Sequence, residues 1–344
     1  MVKTFHYRIK ESSAAPKLNH LARSVNQVWN FCNETQEHAL RWNQRWPTGF
    51  DLNKLTAGCS KELRLHSQTV QAVCEEYAMR RKQSGKRKLR WRGRQSLGWI
   101  PFKASGVKVV EDTVTYCGQT FRFWNSRLLS GPIKTGNFAQ DARGRWYVNF
   151  VVDVPDEAPT TGTKHIGVDL GLKTLATCLD GQAIPVPRFY RRQQQHLANQ
   201  QRRRKSRRVR NLHAKIANRR KDFLHKESTR LIRECELIVV GNVSSSKLNK
   251  TNMAKSVNDA SWSMFRRFLD YKAIAQKVVY REVSEHLTTQ TCSHCHAVSG
   301  PKGRKGLGVR EWVCGECGTQ HDRDTNAALN ILRLGHQSLL AEVQ

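Results

Sequence analysis

Apolar and polar positions along the chain follow two periods, and the period changes from region to region. Residues 3–10 alternate as a strand does, whereas residues 18–42 and 67–83 repeat apolar side chains every three to four positions, as helices do. Residues 105–155 alternate again and contain many turn residues. The pattern predicts a β-module, barrel-like or sandwich-like, with a small helical insert after its first strand.

The second half of the chain predicts a mixed α/β sheet. The stretch "HIGVDLGLKTLATCLDG" predicts two strands joined by a tight turn at Gly171. A long helical region, a buried strand, a helix, a further strand and a last helix follow, at residues 188–235, 237–240, 260–276, 277–283 and from Thr325. Paired strands followed by strands that alternate with helices are typical of mixed α/β domains.

The charge balance indicates the kind of partner. The 344 residues include 59 Lys and Arg against 28 Asp and Glu, which gives a formal net charge of +31. Such an excess repels itself unless a polyanion is bound, so it predicts a nucleic-acid partner. We expect a cytoplasmic protein with no membrane partner. No apolar run approaches the about 18 residues of a spanning helix, and the first residues do not resemble a signal peptide.

Two stretches without acidic residues concentrate the positive charge. Residues 77–110 mix Lys and Arg with tryptophans, a composition that binds phosphates and stacks on bases. Residues 182–221 predict a helix or helical hairpin that is charged on most faces. The alternatives are a solvated basic loop and a disordered basic arm. We favour phosphate contact, and the candidate residues are Lys86, Arg87, Lys88, Arg90, Arg202, Arg203, Arg204, Lys205, Arg207, Arg208, Arg210, Arg219 and Arg220.

Four of the ten cysteines form one metal-binding pattern. Cys292 and Cys295 are separated by two residues, as are Cys314 and Cys317, and eighteen residues lie between the pairs. This spacing is typical of a zinc ribbon, in which four thiolates surround one Zn²⁺. Four protein ligands leave no position for a substrate, so the sequence predicts a structural zinc site and places the chemistry elsewhere.

Two aspartates are candidates for that chemistry. Asp169 projects from the exposed end or the middle of a buried strand, and Asp324 lies at the start of the last helix, where a carboxylate can also simply cap the helix. Each alone is more often structural than catalytic. Together they suggest a nuclease in which carboxylates from a first strand, a later strand and a late helix hold two Mg²⁺ ions about 4 Å apart.

Four segments resemble the TnpB proteins that insertion sequences encode, which are relatives of the type V CRISPR effectors. They are "IGVDLGLKTLAT", "VSEHLTTQTCSHC", "CSHCHAVSG" and "WVCGECGTQHDRDTNAALNIL", and the resemblance covers residues 164–334. It implies a RuvC-like nuclease domain of the RNase H-like α/β fold, interrupted by a zinc ribbon. It also implies a prokaryotic RNA-guided DNA endonuclease that uses a guide RNA, double-stranded target DNA and Mg²⁺.

The resemblance further implies roles for carboxylates and a division of the chain. The first family carboxylate falls on Asp169 and the last on Asp324, with Asp322 as a less favoured neighbour, and Asp169 and Asp324 would bind Mg²⁺. The implied parts are a wedge-like β-module, a helical recognition insert, the nuclease domain and the zinc ribbon, at residues 1–10 with 96–160, 11–95, 164–291 with 319–344, and 292–318.

One position departs from the family. The second carboxylate, at the end of the strand at residues 237–240, falls on Gly241. Strands joined through a helix run parallel and are commonly neighbours, about 4.8 Å apart. We therefore expect the next strand to lie beside this one, and Glu285 at its end to supply the missing catalytic carboxylate. Glu282 is the second candidate.

The sequence alone leaves three functions open. The first is an RNA-guided DNA endonuclease that cleaves by two-metal-ion hydrolysis. The second is an RNA-guided DNA-binding repressor that has lost catalysis, and the third is a transposase that acts directly on DNA ends. Because Asp169, Asp324 and all four cysteines of the ribbon are present, we favour the first.

Overall fold

The computed structural model divides the chain into two compact units, Met1–Pro155 and Asp156–Gln344, here called the N-terminal and C-terminal units. The residues that it describes are 1–10, 13–85, 88–156, 158–172, 174–178, 183–242, 260–306 and 308–343. None of the helices in these ranges has both the length and the apolar character that crossing a bilayer requires.

The N-terminal unit combines two antiparallel sheets with helices. Its strands β1–β7 span Val2–Arg8, Trp99–Lys103, Val107–Val110, Thr113–Tyr116, Gln119–Arg122, Ile133–Gln140 and Trp146–Asp153. Its helices α1–α3 span Ala14–Arg41, Gly49–Leu55 and Ser67–Ser84, and a 3-10 turn spans Ala104–Gly106. The sheets have the strand orders β1-β7-β6-β2 and β3-β4-β5. The predicted first strand, helical insert and β-rich segment are therefore confirmed.

Alternation of side chains along β7 builds the core of this unit. Trp146, Val148, Phe150 and Val152 are buried, and the residues between them are partly exposed. A strand directs alternate side chains to opposite faces, so these four point to one side, where aromatic rings of the other strands meet them.

The C-terminal unit is built around one five-stranded sheet. Strands β8–β14 span Lys164–Asp169, Thr174–Cys178, Ala183–Pro185, Cys235–Gly241, Val279–Val283, Glu311–Val313 and Gln320–Asp322. Helices α4–α8 span Phe189–Arg202, Ser206–Glu234, Trp262–Gln276, Gly303–Gly306 and Arg323–Val343. The long helical region is thus two helices that pack on each other, and the last helix begins two residues earlier than predicted.

The order of strands in the large sheet is β10-β9-β8-β11-β12. Strands β8, β11 and β12 run parallel, whereas β9 is antiparallel to both of its neighbours. The predicted mixed sheet is confirmed. So is the parallel pairing of β11 with β12, whose register places Gly241 opposite Val283.

Strand β11, which lies between β8 and β12, is apolar on both faces, as expected for a parallel strand that is covered on both sides. Ile238 and Val240 pack into a core with residues of α5 and α6. Leu237 and Val239 pack with Ile331 of α8 on the opposite face, which we call the α8 face. Because side chains alternate, odd-numbered positions of β11 lie on the α8 face.

Two glycines allow α8 to lie directly on the sheet. A Cβ atom at Gly167 of β8 would be 1.9 Å from the carbonyl oxygen of Ala328, and one at Gly335 would be 2.3 Å from Val239 Cγ2. Any side chain at these positions would push the helix away. The close contact places the beginning of α8 near the carboxyl end of β8.

Candidate active site and metal centre

Asp169 and Asp324 lie at one end of the contact between β8 and α8. Asp169 is two residues beyond Gly167 and therefore on the same face of the sheet. Asp324 is one helical turn before Ala328, the residue that approaches Gly167. Burial and, next to it, the negative charge of Asp324 raise the pKa of Asp169 to about 6, against the opposing charges of Arg323 and Arg310. The structure thus brings the two predicted aspartates together.

Glu285 lies directly over Gly241. A Cβ atom at Gly241 would be 2.2 Å from Glu285 Oε1 and 2.6 Å from its Cγ, much closer than non-bonded atoms approach. The backbone of Gly241 is not in the left-handed region, so steric contact accounts for this glycine, not backbone conformation. The carboxyl group of Glu285 therefore occupies the space that a side chain at position 241 would take.

The surroundings of Glu285 disfavour its charge. Burial and the negative charge of Asp169 raise its pKa to about 8, and the positive charge of Arg266 opposes this only in part. Its Oε1 atom is buried and has no hydrogen-bond partner among the described residues. A buried carboxylate oxygen without a donor, beside a second carboxylate, fits a divalent cation as its partner.

The other candidate for the missing carboxylate lies on the opposite face. Glu282 accepts hydrogen bonds from Arg266 of α6 at 2.9 Å and from the hydroxyl of Tyr280 at 2.8 Å. Residue 281, by contrast, contacts Glu342 near the end of α8. Alternation along β12 therefore directs Glu282 away from the α8 face. Asn242, next to Gly241, has an exposed side chain.

Asp322 and Asp324 have different roles in the structure. Asp322 Oδ1 accepts a hydrogen bond from the backbone N–H of Thr325 at 2.8 Å, so Asp322 is the N-cap of α8. Asp324 is free of that role. Its two carboxylate oxygens both lie 2.9 Å from Nη1 of Arg310. The helix-capping role that the sequence allowed for Asp324 is therefore filled by Asp322.

Arg310 is a member of the site that the sequence did not reveal. It lies fourteen positions before Asp324, in a segment rich in Gly and Lys. The pairing of β13 with β14 could have indicated the contact of Arg310 with Asp324, because its register places Glu311 opposite Asp322. Residue 310 must then meet the first turn of α8. Its guanidinium balances the charge of Asp324 when no cation does so.

The three carboxylates do not surround a single point. Among the described residues, the four ribbon cysteines are the one group of three or more His, Cys, Asp or Glu whose ligand atoms all lie within 4.8 Å of one another. Asp169, Glu285 and Asp324 therefore form no such close group in the structure.

The four cysteines predicted as zinc ligands do converge. The Sγ atoms of Cys292 and Cys317 are 3.7 Å apart, and those of Cys295 and Cys314 are 3.6 Å apart. Metal–sulfur bonds of about 2.3 Å in a tetrahedron give sulfur–sulfur distances of about 3.8 Å, whereas a disulfide bond is about 2.05 Å long. The geometry therefore fits four thiolates around one metal ion.

Hydrogen bonds prepare some of these sulfurs for the ionised form. Ser299 Oγ lies 3.1 Å from Cys314 Sγ, and this contact, together with backbone N–H groups of the second knuckle, lowers the pKa of Cys314 to about 6. The hydroxyl of Thr319, 3.2 Å from Cys317 Sγ, lowers the pKa of Cys317. Thiolates are the metal-binding form of cysteine, so both contacts favour binding.

Most of the predicted nucleic-acid residues are exposed at α4 and α5. Lys86 and Arg87 lie outside the described residues. The side chains that the structure exposes are those of Lys88, Arg90, Arg202, Arg203, Arg204, Lys205, Arg207, Arg208, Arg210 and Arg219, whereas Arg220 is partly buried. Helices α4 and α5 are anchored to each other by apolar residues, which argues against a disordered arm.

The basic loop after α3 is tied to helix α1. Asn33 donates to the carbonyl of Leu89 and accepts from its N–H, and Asn30 makes the same pair of bonds with Arg92. Trp91 stays 44% exposed within this loop. The described part of this loop therefore presents basic and aromatic groups from a backbone that α1 holds in place.

Two family models match the chain. A model described as "Cas12f1-like, TNB domain" matches residues 262–331, which include Glu285, the four cysteines and Asp324. A model described as "Probable transposase" (OrfB_IS605) matches residues 149–254, which include Asp169 and Gly241.

Curated relatives carry names that agree with these models. "Putative RNA-guided DNA endonuclease" of Streptomyces pristinaespiralis is 36% identical over 228 residues, which are 62% of this chain and 56% of the relative. "Putative RNA-guided DNA endonuclease InsQ" of Escherichia coli K12 is 27% identical over 248 residues, 63% and 60% of the two chains. A TnpB-like protein of Acanthamoeba polyphaga mimivirus is 28% identical, covering 69% and 51%. The chain thus spans about half to three fifths of these relatives.

A solved structure shares the fold. The chain in "Cryo-EM structure of the Cas12f1-sgRNA-target DNA complex" superposes with a TM-score of 0.61 over 94% of this chain and 83% of that chain, at 12% identity. This chain therefore has a Cas12f1-like fold of mixed α/β content with a cysteine cluster. The family models and the curated relatives confirm the resemblance to TnpB proteins.

Proposed function

We propose that the protein is an RNA-guided DNA endonuclease of TnpB type, with Asp169, Glu285 and Asp324 as its catalytic carboxylates. The observation that carries the proposal is the position of Glu285. Its carboxyl group fills the space above Gly241, beside Asp169, with one oxygen buried and unpaired. The names of the bacterial relatives support the substrate, and the fold relative was solved with guide RNA and target DNA.

The large sheet supports a RuvC-like nuclease domain. The three carboxylates project from the ends of β8 and β12 and from the first turn of α8, all on the α8 face. This is the pattern of first strand, later strand and late helix that a two-metal nuclease requires. The difference is that the later strand is β12 and not β11.

The carboxylates would hold two Mg²⁺ ions. When bound, the ions supply the positive charge that activates a water and stabilises the departing oxygen during phosphodiester hydrolysis. Asp169 and Asp324 offset two of four positive charges, and Glu285 adds a third negative charge. Its raised pKa implies that it gives up a proton as the cation arrives. Arg310 would then release Asp324 and bind another anion. A phosphate group is a suitable partner for its guanidinium.

We assign the cysteine cluster one structural Zn²⁺. Four thiolates complete a tetrahedral shell and leave no position for water, so this ion does no chemistry. The basic residues of α4, α5 and the loop after α3 would contact the phosphates of the guide RNA or of its hybrid with DNA. Base pairing then provides sequence specificity, and the protein contributes backbone contacts.

The decisive experiment measures cleavage of a matched target by the protein bound to its copurified RNA. We expect Asp169→Ala, Asp324→Ala and Glu285→Ala each to lower the cleavage rate by several orders of magnitude while target binding persists. Glu282→Ala is the matched control and should cut normally. If Glu285→Ala cuts normally while Asp169→Ala does not, the assignment of Glu285 is wrong.

A paired substitution tests whether positions 241 and 285 exchange one role. Gly241→Glu alone should impair cleavage, because its Cβ would collide with Glu285. In the double variant Gly241→Glu with Glu285→Ala, the collision is gone and a carboxylate again extends from β11. We expect the double variant to recover part of the activity that Glu285→Ala loses. Equal inactivity of all three variants would argue against exchange.

The second candidate is an RNA-guided DNA-binding protein that does not cut. It is favoured by the ion pair of Arg310 with Asp324, which keeps that carboxylate from a cation. An unmodified protein that binds a matched target in Mg²⁺ and never cuts would establish this function. Cleavage of DNA ends without any bound RNA would instead establish the transposase.

A further inference from the structure

Glu285 lies beyond the end of β12, in a segment without strand hydrogen bonds. The carboxylate must still be placed accurately, because a metal ligand is useful only in a narrow range of positions. Within the segment, the N–H and the hydroxyl of Thr288 both donate to the carbonyl of Glu285, at 3.3 and 3.0 Å. These bonds hold Glu285 relative to Thr288, but they do not hold the segment relative to the sheet.

Two asparagines of α8 provide that attachment. Asn326 Nδ2 lies 3.2 Å from the carbonyl oxygen of Thr288 and 2.9 Å from that of Thr291. Asn330 Nδ2 lies 3.0 and 2.7 Å from the same two oxygens. Each amide uses both of its protons, and each carbonyl accepts twice, so the four groups form a closed set of hydrogen bonds. Both asparagines are 1% exposed.

The same helix reaches the cysteine ribbon. Asn326 Oδ1 accepts a hydrogen bond from the backbone N–H of Ser293 at 2.9 Å, next to Cys292. Helix α8 also carries Asp324, one half-turn before Asn326. The first two turns of α8 therefore carry a candidate metal ligand and the asparagines that hold both the segment with Glu285 and the first cysteine knuckle.

Stability alone does not account for two amides here. Asn330 Oδ1 is buried and has no hydrogen-bond partner among the described residues, which costs free energy that an apolar side chain would avoid. Asn326 already donates to both carbonyls. The second asparagine adds a second pair of bonds to the same two atoms, which restricts movement of the segment more than it adds stability.

We propose that Asn326 and Asn330 are positioning residues that fix Glu285 over Gly241, by fastening the segment from Thr288 to Thr291 onto the helix that carries Asp324. The inference rests on the proposed function, since it assumes that Glu285 binds a divalent cation. It adds a dependence of that site on α8 and on the folded ribbon.

The test measures divalent-cation binding apart from cleavage. Mn²⁺ binding to the full-length, zinc-loaded chain is measured by electron paramagnetic resonance, with Glu285→Gln as the baseline for loss of the ligand. For Asn326→Ala with Asn330→Ala we expect about 10- to 100-fold weaker Mn²⁺ binding, as for other residues that orient metal ligands. The Mg²⁺ concentration for half-maximal cleavage should rise in parallel, whereas zinc content and target affinity stay unchanged.

Two further variants separate positioning from general stability. Ser228→Ala removes a buried hydroxyl from α5 on the other side of the sheet, and should leave Mn²⁺ binding unaffected. Asn330→Ala alone keeps Asn326 on both carbonyls, so it should retain zinc and weaken Mn²⁺ binding less than about tenfold. If the double variant loses its zinc, Mn²⁺ binding by Asn330→Ala alone tests the positioning role.

The outcomes test the positioning role of the two asparagines separately from the proposed endonuclease function. If the unmodified protein binds Mn²⁺ and cleaves, but zinc-loaded asparagine variants do both equally well, the positioning role is wrong and the proposed function stands. If the unmodified protein neither binds Mn²⁺ at Glu285 nor cleaves, both are wrong. Weaker Mn²⁺ binding in Ser228→Ala as well would show a general stability effect and overturn the inference.

Discussion

Replacing Glu285 with Gln should stabilise the C-terminal unit in the absence of Mg²⁺ while abolishing cleavage. The pKa of Glu285 is raised to about 8 from an ordinary value of 4.5. Below pH 4.5 the carboxyl is protonated in both the folded and the unfolded chain, so the raised pKa does not lower the free energy of unfolding. As the pH rises to 8, the unfolded chain gains the more favourable ionised form and the folded chain does not, so stability is lost.

The size of the effect follows from that interval. Each pH unit between the two pKa values costs about 1.4 kcal/mol, so at pH 7 the limit is about 3 kcal/mol. Part of the shift belongs to the interaction with Asp169, and we expect about 2 kcal/mol. For a unit of this size that corresponds to a rise of about 4–8 °C in the unfolding midpoint.

The assay compares unfolding midpoints of the two proteins at several pH values from 5 to 8. Calorimetry without Mg²⁺ and without chelator keeps zinc in the ribbon, and zinc release identifies the transition of the C-terminal unit. The dependence on pH is the informative quantity, because glutamine does not titrate and any fixed packing cost cancels from the slope. We expect the advantage of Glu285→Gln to grow steadily as the pH rises from 5 towards 8 and to vanish when Mg²⁺ is added.

The result that would refute this reasoning is a constant difference between the two proteins across the pH range. Glu285 would then titrate as an ordinary surface carboxylate, and its closeness to Asp169 would have no functional meaning. Glu282→Gln is the control, since Glu282 lies at the same strand end and pairs with Arg266. We expect no pH-dependent gain from that substitution.

Three other substitutions test separate parts of the site. Cys314→Ser should lower the zinc content from about one per chain and unfold the ribbon, as metal analysis would show; retention of both zinc and fold contradicts a structural role. Asp322→Ala should cost about 1 kcal/mol of stability through loss of the α8 cap yet leave cleavage intact; loss of cleavage at unchanged stability would make Asp322 a ligand. Alanine at all four positions 202–205 should flatten the salt dependence of RNA binding, by about 0.9 in the logarithmic slope for each lost phosphate contact; an unchanged slope places the RNA elsewhere.

The sequence predicted what depends on local pattern. The apolar run of β11 and the spacing of the cysteines each follow from a local pattern, and both are present. The parallel pairing of β11 and β12 follows from the helix between them. That pairing, together with the missing family carboxylate at Gly241, led to Glu285 as the first candidate and Glu282 as the second.

The sequence could not predict what depends on the packing of distant segments. The face occupied by Glu282 depends on where α6 lies, because Arg266 of that helix pairs with it. The contact of Arg310 with Asp324 requires the register of β13 against β14. The cap of α8 could have been Asp322 or Asp324, and the exact first residue of the helix decides between them.

Moving the carboxylate from β11 to the segment after β12 changes what holds it. At position 241 a glutamate would project from a central strand whose backbone is paired on both sides. Glu285 instead depends on Thr288 and on the asparagines of α8, one of which also fixes the first cysteine knuckle. The arrangement also requires glycine at position 241, because any side chain there would exclude Glu285. If Glu285 is the catalytic carboxylate and the cysteines bind zinc, as we propose, the active site would be coupled to the folding of the ribbon, and a metal that does no chemistry would still control the placement of a group that does.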